Sequence, residues 1–327
     1  MTGRAILETS PGDPVTDVPE DRDRLASMTC DNGGIDVSFV IRTLKRDSVV
    51  LIRNVAAEKA DSIIQGIAEA LDLGERLRLQ AGFAGFGGHR HNIGKYFMTV
   101  NRRDDYQFIP PHSEGDSTVN MQLASFYCYE NTTDGGETLL MNVNNSAVAW
   151  GSLRERVTRA KPGFRPLSPA EIAQVRTLYR LRLPADTLGA DDHALAEHQC
   201  QVPGLTLVDA LARVRQTYSC ILERKLYAYW DSVASIDQSA VNSFALLLRQ
   251  WGLLKEPPGG LNVNQMDNAA PRRVWDSKVD HTSFFRCRIT HKMMPGDLTV
   301  HNNLTWVHGA CNWHPHSGTR NIAAAFA

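Results

Sequence analysis

The residues best suited to chemistry in this sequence are a histidine and an acidic residue two positions apart, His112 and Glu114. On an extended segment, residues i and i+2 project to the same face, so this imidazole and this carboxylate can reach one metal ion. Alone the pair is weak evidence. With 11 histidines and 36 acidic residues in the chain, about one histidine should have an acidic residue two positions later by chance. Its interest lies in its place just before a predicted strand over 119–129.

A third ligand for such a metal must come from another part of the chain, and the C-terminal region supplies candidates: His301, His308, His314 and His316. Two histidines and one carboxylate form the facial triad that binds Fe(II) and leaves open coordination positions. Arg320 follows His308 and opens the last apolar run. An arginine beside such a site is suited to binding a carboxylate through two hydrogen bonds.

Short apolar runs predict the strands that would position these residues. Alternation and β-branched composition predict strands over 48–53, 119–129, 138–143, 285–290, 298–301, 304–308 and 320–326. An amphipathic helix is predicted over 57–71, and the turn cluster at 131–136 predicts a hairpin between the second and third strands. Strands separated by turns favour an antiparallel sheet system over alternating βαβ units.

The middle of the chain has a different pattern, which predicts helices. Ser168 to Glu171 has the form of a capping box with proline at the first helical position, and a second capping box starts at Ser235. Apolar residues from Leu207 to Leu226 recur at helical spacing. We therefore expect a large helical insertion over about 146–260.

Composition excludes several classes of protein. The 327 residues are 43% hydrophobic and 22% charged, with a net charge of -1, which disfavours nucleic-acid binding. No run is apolar enough for a membrane span, and residues 1–21 contain no signal-peptide core, so we expect a cytoplasmic protein with a frayed or extended leader. The six cysteines include no CxxC pair, which disfavours a zinc finger and predicts free thiols.

In chain order these elements resemble the Fe(II)/2-oxoglutarate-dependent dioxygenases of the taurine dioxygenase and clavaminate synthase-like superfamily. The segment 112–114 is similar to the family's H-x-[DE] pair, and 135–138 (GGET) is similar to its GG-[DE]-T segment. His308 stands at the position of the family's distal histidine, and Arg320 stands where the family places its 2-oxoglutarate arginine. The resemblance covers most of the chain from about residue 48.

The resemblance implies a fold that is mainly β with helices. A double-stranded β-helix, or jelly-roll, would form the core and hold a metal at its open mouth. Residues 1–47 would then be a leader and extension, and residues 48–327 a single oxygenase domain that contains the helical insertion.

The resemblance also implies a role for each candidate site residue. His112, Glu114 and His308 would bind Fe(II), Arg320 would pair with the distal carboxylate of 2-oxoglutarate, and the Thr138 hydroxyl would hydrogen-bond the same carboxylate. The enzyme would consume O2, release succinate and CO2, and oxidise a small molecule, most often by hydroxylation. An amino acid or an intermediate of specialised metabolism is the expected substrate, and neither nucleic acid nor membrane is an expected partner.

Three features bear on the chemistry within that family. The acidic Glu114 disfavours halogenation, because halogenating relatives carry a small residue there. Asn302 and Leu304 replace the family's Asp and Arg, so local hydrogen bonding must differ. No basic residue follows Arg320, which leaves a sulfonate anchor without support at that place.

Two other interpretations remain open. A jelly-roll metal enzyme that does not use 2-oxoglutarate would leave Arg320 and Thr138 without a role. A non-catalytic small-molecule binding protein on the same scaffold would not explain why three metal ligands are present. Four further polar residues could face a substrate or be solvated: Arg102, Arg103, Asn120 and Gln122.

Overall fold

Strands from both halves of the chain form two sheets that carry the predicted site residues. Among the described residues, the first sheet has the order β1 (Ala26–Thr29), β2 (Val49–Arg53), β13 (Leu298–Asn302), β5 (Leu123–Asn131), β15 (Arg320–Phe326) and β3 (Met98–Thr99). The second has the order β12 (Phe285–His291), β6 (Thr138–Val143), β14 (Trp306–Ala310) and β4 (Ile109–His112). Neighbouring strands are antiparallel except β1 and β2, which are parallel.

The computed structural model describes residues 17–31, 34–83, 90–100, 102–115, 121–213, 217–218, 226–227, 236–260, 266 and 273–327. The chain divides into a larger unit, residues 1–147 and 216–327, and a smaller unit, residues 148–215. Both sheets belong to the larger unit. None of the described helices has the length and apolar character that crossing a membrane requires.

Helices cover the outer faces of the two sheets. Next to the first sheet lie α1 (Val37–Asp47), α2 (Ala57–Ala70) and α3 (Gly74–Phe83), which contribute to one apolar cluster with β2 and β13. The helix Gln238–Gln250 packs on Phe108 and Leu139 beside the second sheet. Fully burying one such large apolar side chain stabilises the fold by about 1.5–3 kcal/mol.

Period-2 alternation gives each central strand two different faces. On β13, Leu298 and Val300 pack into the cluster that contains the helices. His301 projects from the opposite face and contacts His308 on β14 of the second sheet. The predicted strands and the predicted helix over 57–71 are present, with boundaries shifted by a few residues. Residues 119–120 of the strand predicted over 119–129 lie outside the described residues.

The predicted hairpin across 131–136 is wrong. β5 pairs with β13 and β15, whereas β6 pairs with β12 and β14, so these consecutive strands lie in different sheets. Gly135 and Gly136, with φ of 102° and 76°, lie in the connection between the sheets. Alternation predicts that a segment is a strand, but it does not identify the neighbouring strand.

The predicted helical insertion over about 146–260 is wrong in much of its secondary structure. In the smaller unit, β7 (Arg154–Pro162), β9 (Leu205–Arg213) and β8 (His193–Gln199) form an antiparallel sheet in that order. Of the apolar residues that suggested a helix over 207–226, Leu207, Ala210 and Leu211 lie in β9, where Ala210, Leu211 and Ala212 are all buried. The later ones lie in short strands or, at 214, 221 and 222, outside the described residues. Burial on both faces of a strand end removes the alternation that distinguishes a strand from a helix.

Two helices do occur in this part of the chain. α4 (Pro169–Tyr179) begins at Ser168 with the predicted capping box. The helix Gln238–Gln250, now α5, begins at Asp237, whose side chain accepts a hydrogen bond from the Ser239 amide. The capping box predicted at Ser235 lies outside the described residues.

The remaining elements are short. β10 (Thr217–Tyr218) pairs with β11 (Leu226–Tyr227), and 3-10 turns lie at Arg22–Arg24, Val148–Ser152 and His281–Phe284. The described end of the predicted leader lies along β12, where the Arg288 side chain donates a hydrogen bond to the Val18 carbonyl.

Candidate metal centre

His112 and His308 lie opposite each other where β4 pairs with β14. Glu114 lies just beyond the end of β4, and its Oε1 atom is 3.6 Å from His112 Nε2 and 3.5 Å from His308 Nε2. The three ligand atoms all lie within 4.8 Å of one another. Ligands about 2.1 Å from a shared ion at right angles are about 3 Å apart, so small side-chain shifts would allow all three to bind one metal.

Backbone contacts orient His112 and Glu114. The Nδ1 atom of His112 lies 2.9 Å from the Pro110 carbonyl, so its proton is donated there and the ring lone pair lies on Nε2. The side chain of Asn303 accepts a hydrogen bond from the Glu114 amide at 3.0 Å and donates one to the Glu114 carbonyl at 2.9 Å. Asn303 thus holds the backbone of the acidic ligand from the turn before β14.

A glycine allows the two histidine-bearing strands to approach closely. A Cβ atom at Gly309 would lie 2.8 Å from the Ile109 carbonyl oxygen and 3.3 Å from the Pro111 nitrogen. Real Cβ contacts are essentially never shorter than 3.0 Å, so the glycine next to His308 is needed for the observed spacing of β4 and β14.

The other C-terminal histidines that were candidates for the third ligand lie elsewhere. His301 is fully buried and contacts His308, with its Nε2 atom 3.3 Å from His308 Nδ1. His314 Nε2 lies 3.6 Å from Asp134, and His316 is exposed. His308 is therefore the histidine of this group that meets Glu114 and His112.

The electrostatics of the cluster favour the ionisation states that metal binding requires. Burial raises the pKa of Glu114, but the contacts with His112 and His308 and the charge of Arg90 outweigh it, so the pKa lies well below its ordinary value. Burial and the neighbouring His112 lower the pKa of His308 to about 4. At neutral pH Glu114 is therefore a carboxylate and His308 a neutral imidazole, as ligation demands.

A pocket that is partly open to solvent adjoins the three candidate ligands. Its lining includes three arginines, Arg90, Arg103 and Arg320, together with Thr138. Arg90 lies 3.7 Å from Glu114, at the metal end. Thr138 pairs with Ala310, two residues beyond His308 on β14, so it lies farther along the cavity.

Arg320 is held at this far end by the glycine pair. Its Nε atom donates a hydrogen bond to the Gly136 carbonyl at 3.1 Å, and a Cβ at Gly136 would lie 3.1 Å from Arg320 Cδ. Burial lowers the pKa of Arg320 to about 10, although Cys128, Cys311 and Glu137 act in the opposite direction. Within the described part of the chain no acidic side chain forms an ion pair with it.

The sequence alone did not show how several residues contribute to this site. His301 was considered there only as a candidate ligand, and no local pattern marks the contacts between strands that His301, Asn303 and Gly309 make with the candidate ligands. Arg103 lines the cavity, whereas its neighbour Arg102 is exposed. Gln122 is buried without lining the cavity, and Asn120 lies outside the described residues.

No family model matches the chain, and no curated protein matches its sequence. Among solved structures, it is similar to AAD-2 in complex with Mn(II) and N-oxalylglycine, with 10% identity, coverage of 95% of this chain and 96% of that chain, and a TM-score of 0.39. It is similar to PvcB, described as an Fe, alpha-ketoglutarate dependent oxygenase from an isonitrile synthetic pathway, with 13% identity, coverage of 98% and 94%, and a TM-score of 0.40. A PvcB structure from Pseudomonas aeruginosa gives 11% identity, coverage of 99% and 95%, and a TM-score of 0.38. The chain is thus similar, at low identity, to an oxygenase that uses iron and 2-oxoglutarate (alpha-ketoglutarate).

Proposed function

We propose that this protein is an Fe(II)- and 2-oxoglutarate-dependent oxygenase that oxidises a small molecule and releases succinate and CO2. Hydroxylation is the expected reaction. The observation that carries the proposal is the cluster of His112, Glu114 and His308, whose ligand atoms lie within 4.8 Å of one another beside a cavity. Arginines at the far end of that cavity distinguish it from a simple metal site.

The donor set fits Fe(II). Two neutral imidazoles and one carboxylate from one side of an ion leave the remaining positions open for other ligands, the arrangement of non-haem iron oxygenases. Bound Fe(II) would supply the redox chemistry that couples oxidative decarboxylation of a 2-oxo acid to oxidation of the substrate. His112, Glu114 and His308 would hold the ion, and Asn303 would keep the carboxylate in place through the Glu114 backbone.

Arg320 and Thr138 would bind the distal carboxylate of 2-oxoglutarate. Thr138 pairs with Ala310, which lies two residues beyond His308 on β14. Two residues of a strand span about 6.6 Å, which suits a five-carbon dicarboxylic acid that reaches from the metal to this level. The half-buried guanidinium of Arg320 supplies the positive charge and paired donors that a carboxylate requires.

An amino acid or a specialised-metabolism intermediate remains our expectation for the substrate. A jelly-roll core is supported by the way consecutive strands β12, β13, β14 and β15 alternate between the two sheets. A single oxygenase domain over 48–327 and a cytoplasmic location remain predictions.

Anaerobic titration tests the proposal directly. Adding Fe(II) and then 2-oxoglutarate should produce the weak visible metal-to-ligand charge-transfer band of a chelated 2-oxo acid, and admitting O2 should yield succinate. A metal enzyme that does not use 2-oxoglutarate would bind Fe(II) without the band. A binding protein without catalysis would give no succinate. His308→Ala should abolish the band while the circular dichroism spectrum stays unchanged.

A further inference from the structure

A second arginine lies beside Arg320 at the far end of the cavity. Arg103 comes from the segment before β4, and its guanidinium carbon lies 5.3 Å from the centre of the Trp313 ring. The guanidinium carbon of Arg320 lies 5.8 Å from the centre of the same ring. Both arginines line the cavity, so two cations from distant parts of the chain meet at one indole.

Neither cation forms an ion pair among the residues that the structure describes, although the charge of Glu137 acts to raise the pKa of Arg320. Arg103 donates from Nη1 to the Cys311 carbonyl at 3.5 Å, and Arg320 donates from Nε to the Gly136 carbonyl at 3.1 Å. No carboxylate of that part of the chain forms an ion pair with either. Burial and the charge of Arg320 lower the pKa of Arg103 well below its ordinary value. An anion between the two would relieve this repulsion.

The position of Arg103 along β14 indicates which anion it meets. Its backbone partner, Cys311, directly follows Ala310, which pairs with Thr138. Arg103 therefore lies at the level of Thr138, about 7–10 Å along the strand direction from His308. Arg90, in contrast, lies 3.7 Å from Glu114 at the metal end.

We propose that Arg103 and Arg320 together clamp the distal carboxylate of the 2-oxo acid, so that Arg103 is a cosubstrate-binding residue. The proposal rests on the proposed function and deepens it. With two guanidinium groups facing one carboxylate, the site selects a dicarboxylic 2-oxo acid over a monocarboxylic one.

The test compares two 2-oxo acids on the Fe(II)-loaded protein without oxygen. 2-Oxoglutarate carries the distal carboxylate, and 2-oxovalerate has the same five-carbon chain without it. The charge-transfer band gives the Kd of each for the wild type, Arg103→Gln, Arg103→Lys and Arg102→Gln. Arg102 is the matched control, because it is the adjacent arginine and is exposed.

We expect Arg103→Gln to raise the Kd for 2-oxoglutarate at least tenfold and to leave the Kd for 2-oxovalerate within twofold. Arg103→Lys should recover part of the loss, since it keeps the charge but not the planar fork. Arg102→Gln should change neither constant. Equal losses for both acids in Arg103→Gln would show a structural effect and overturn the clamp, as would an unchanged Kd for 2-oxoglutarate.

A second measurement separates failure of the clamp from failure of the proposed function. Calorimetry of the metal-free protein with glutarate and with butyrate tests the two arginines without iron. If the wild type gives no charge-transfer band but binds glutarate more tightly than butyrate, and Arg103→Gln loses that preference, the clamp stands and the oxygenase proposal fails. If the wild type shows no preference for glutarate, the clamp is overturned.

Discussion

The Nδ1 atom of His308 lies 3.3 Å from the Nε2 atom of His301, and this contact couples the tautomers of the two rings. A metal at His308 Nε2 needs a lone pair there, so Nδ1 must carry the proton and donate it to His301. His301 then carries its own proton on Nδ1. That atom is buried and has no hydrogen-bond partner among the residues that the structure describes.

The first prediction concerns His301 as a positioning residue. His301→Leu removes the acceptor for the His308 proton, so the metal-competent tautomer loses its hydrogen bond. Metal affinity should fall about 10- to 100-fold, the usual effect of losing such an outer partner. His301→Gln has nearly the same volume as Leu and still offers an acceptor, so it should retain most of the affinity. Calorimetric titration with Mn(II) measures both, and equal affinities for the two variants would contradict the assignment.

The second prediction concerns the pH dependence of stability in the metal-free protein. The pKa of His308 is lowered to about 4, and that of His301 is also lowered, both chiefly by burial. Between the ordinary histidine pKa of about 6.5 and pH 4, the unfolded chain binds protons that the folded chain does not. Stability should therefore fall as the pH drops from 7 to 5, whereas Glu114, with its lowered pKa, should contribute only below that window.

Urea unfolding with a chelator present, at pH 7 and pH 5, checks this effect. The free energy of unfolding should decrease on acidification in the wild type and decrease less in His301→Leu, which lacks one buried imidazole. A variant that loses as much stability as the wild type would show that His301 does not contribute to the pH dependence.

The third prediction concerns the close approach of β4 and β14. Gly309→Ala places a Cβ 2.8 Å from the Ile109 carbonyl, so β4 must move and His112 must separate from His308. Both the thermal midpoint and the metal affinity should drop. Gly66→Ala is the matched control, because its Cβ would meet only Val37 at 3.7 Å, and within α2 it should be neutral or stabilising by about 0.5–1 kcal/mol. Unchanged metal binding in Gly309→Ala would mean that the strand spacing does not limit the site.

The fourth prediction concerns Glu114. Glu114→Asp keeps the charge but shortens the side chain by one methylene, and Glu114→Gly removes the ligand while leaving both imidazoles. Metal affinity and succinate formation should decrease in the order wild type, Asp, Gly, and added chloride should partly restore metal binding to the Gly variant because it replaces the lost anion. Equal succinate formation by all three proteins would show that Glu114 does not bind the metal.

The features that the sequence predicted correctly are those that depend on residues close together along the chain. Alternation located most strands of both sheets, and the spacing of His112 and Glu114 on an extended segment marked two of the three clustered ligands. The choice of His308 came from the resemblance, because pattern alone left four C-terminal histidines equal. The structure distinguishes them by the pairing of β4 with β14.

The failures share one physical cause. The hairpin between β5 and β6 and the helix at 207–226 were inferred from neighbours along the chain, whereas strand partners and burial on both faces are tertiary properties. The contacts of Arg103 and Asn303 could not be predicted for the same reason. Arg103 contacts Cys311, 208 positions away, and Asn303 contacts Glu114, 189 positions away.

These long sequence separations also affect synthesis of the protein. β15 lies between β5 and β3, and β14 lies between β6 and β4, so late strands complete sheets begun by early ones. A ribosome adding about 5–20 residues per second needs roughly 10–40 s to pass from Glu114 to Asn303, which are 189 residues apart. For most of that interval β5 and β6 lack their partner strands β12, β13, β14 and β15. A metal that needs all three candidate ligands should therefore bind only after β14, which carries His308, has been synthesised.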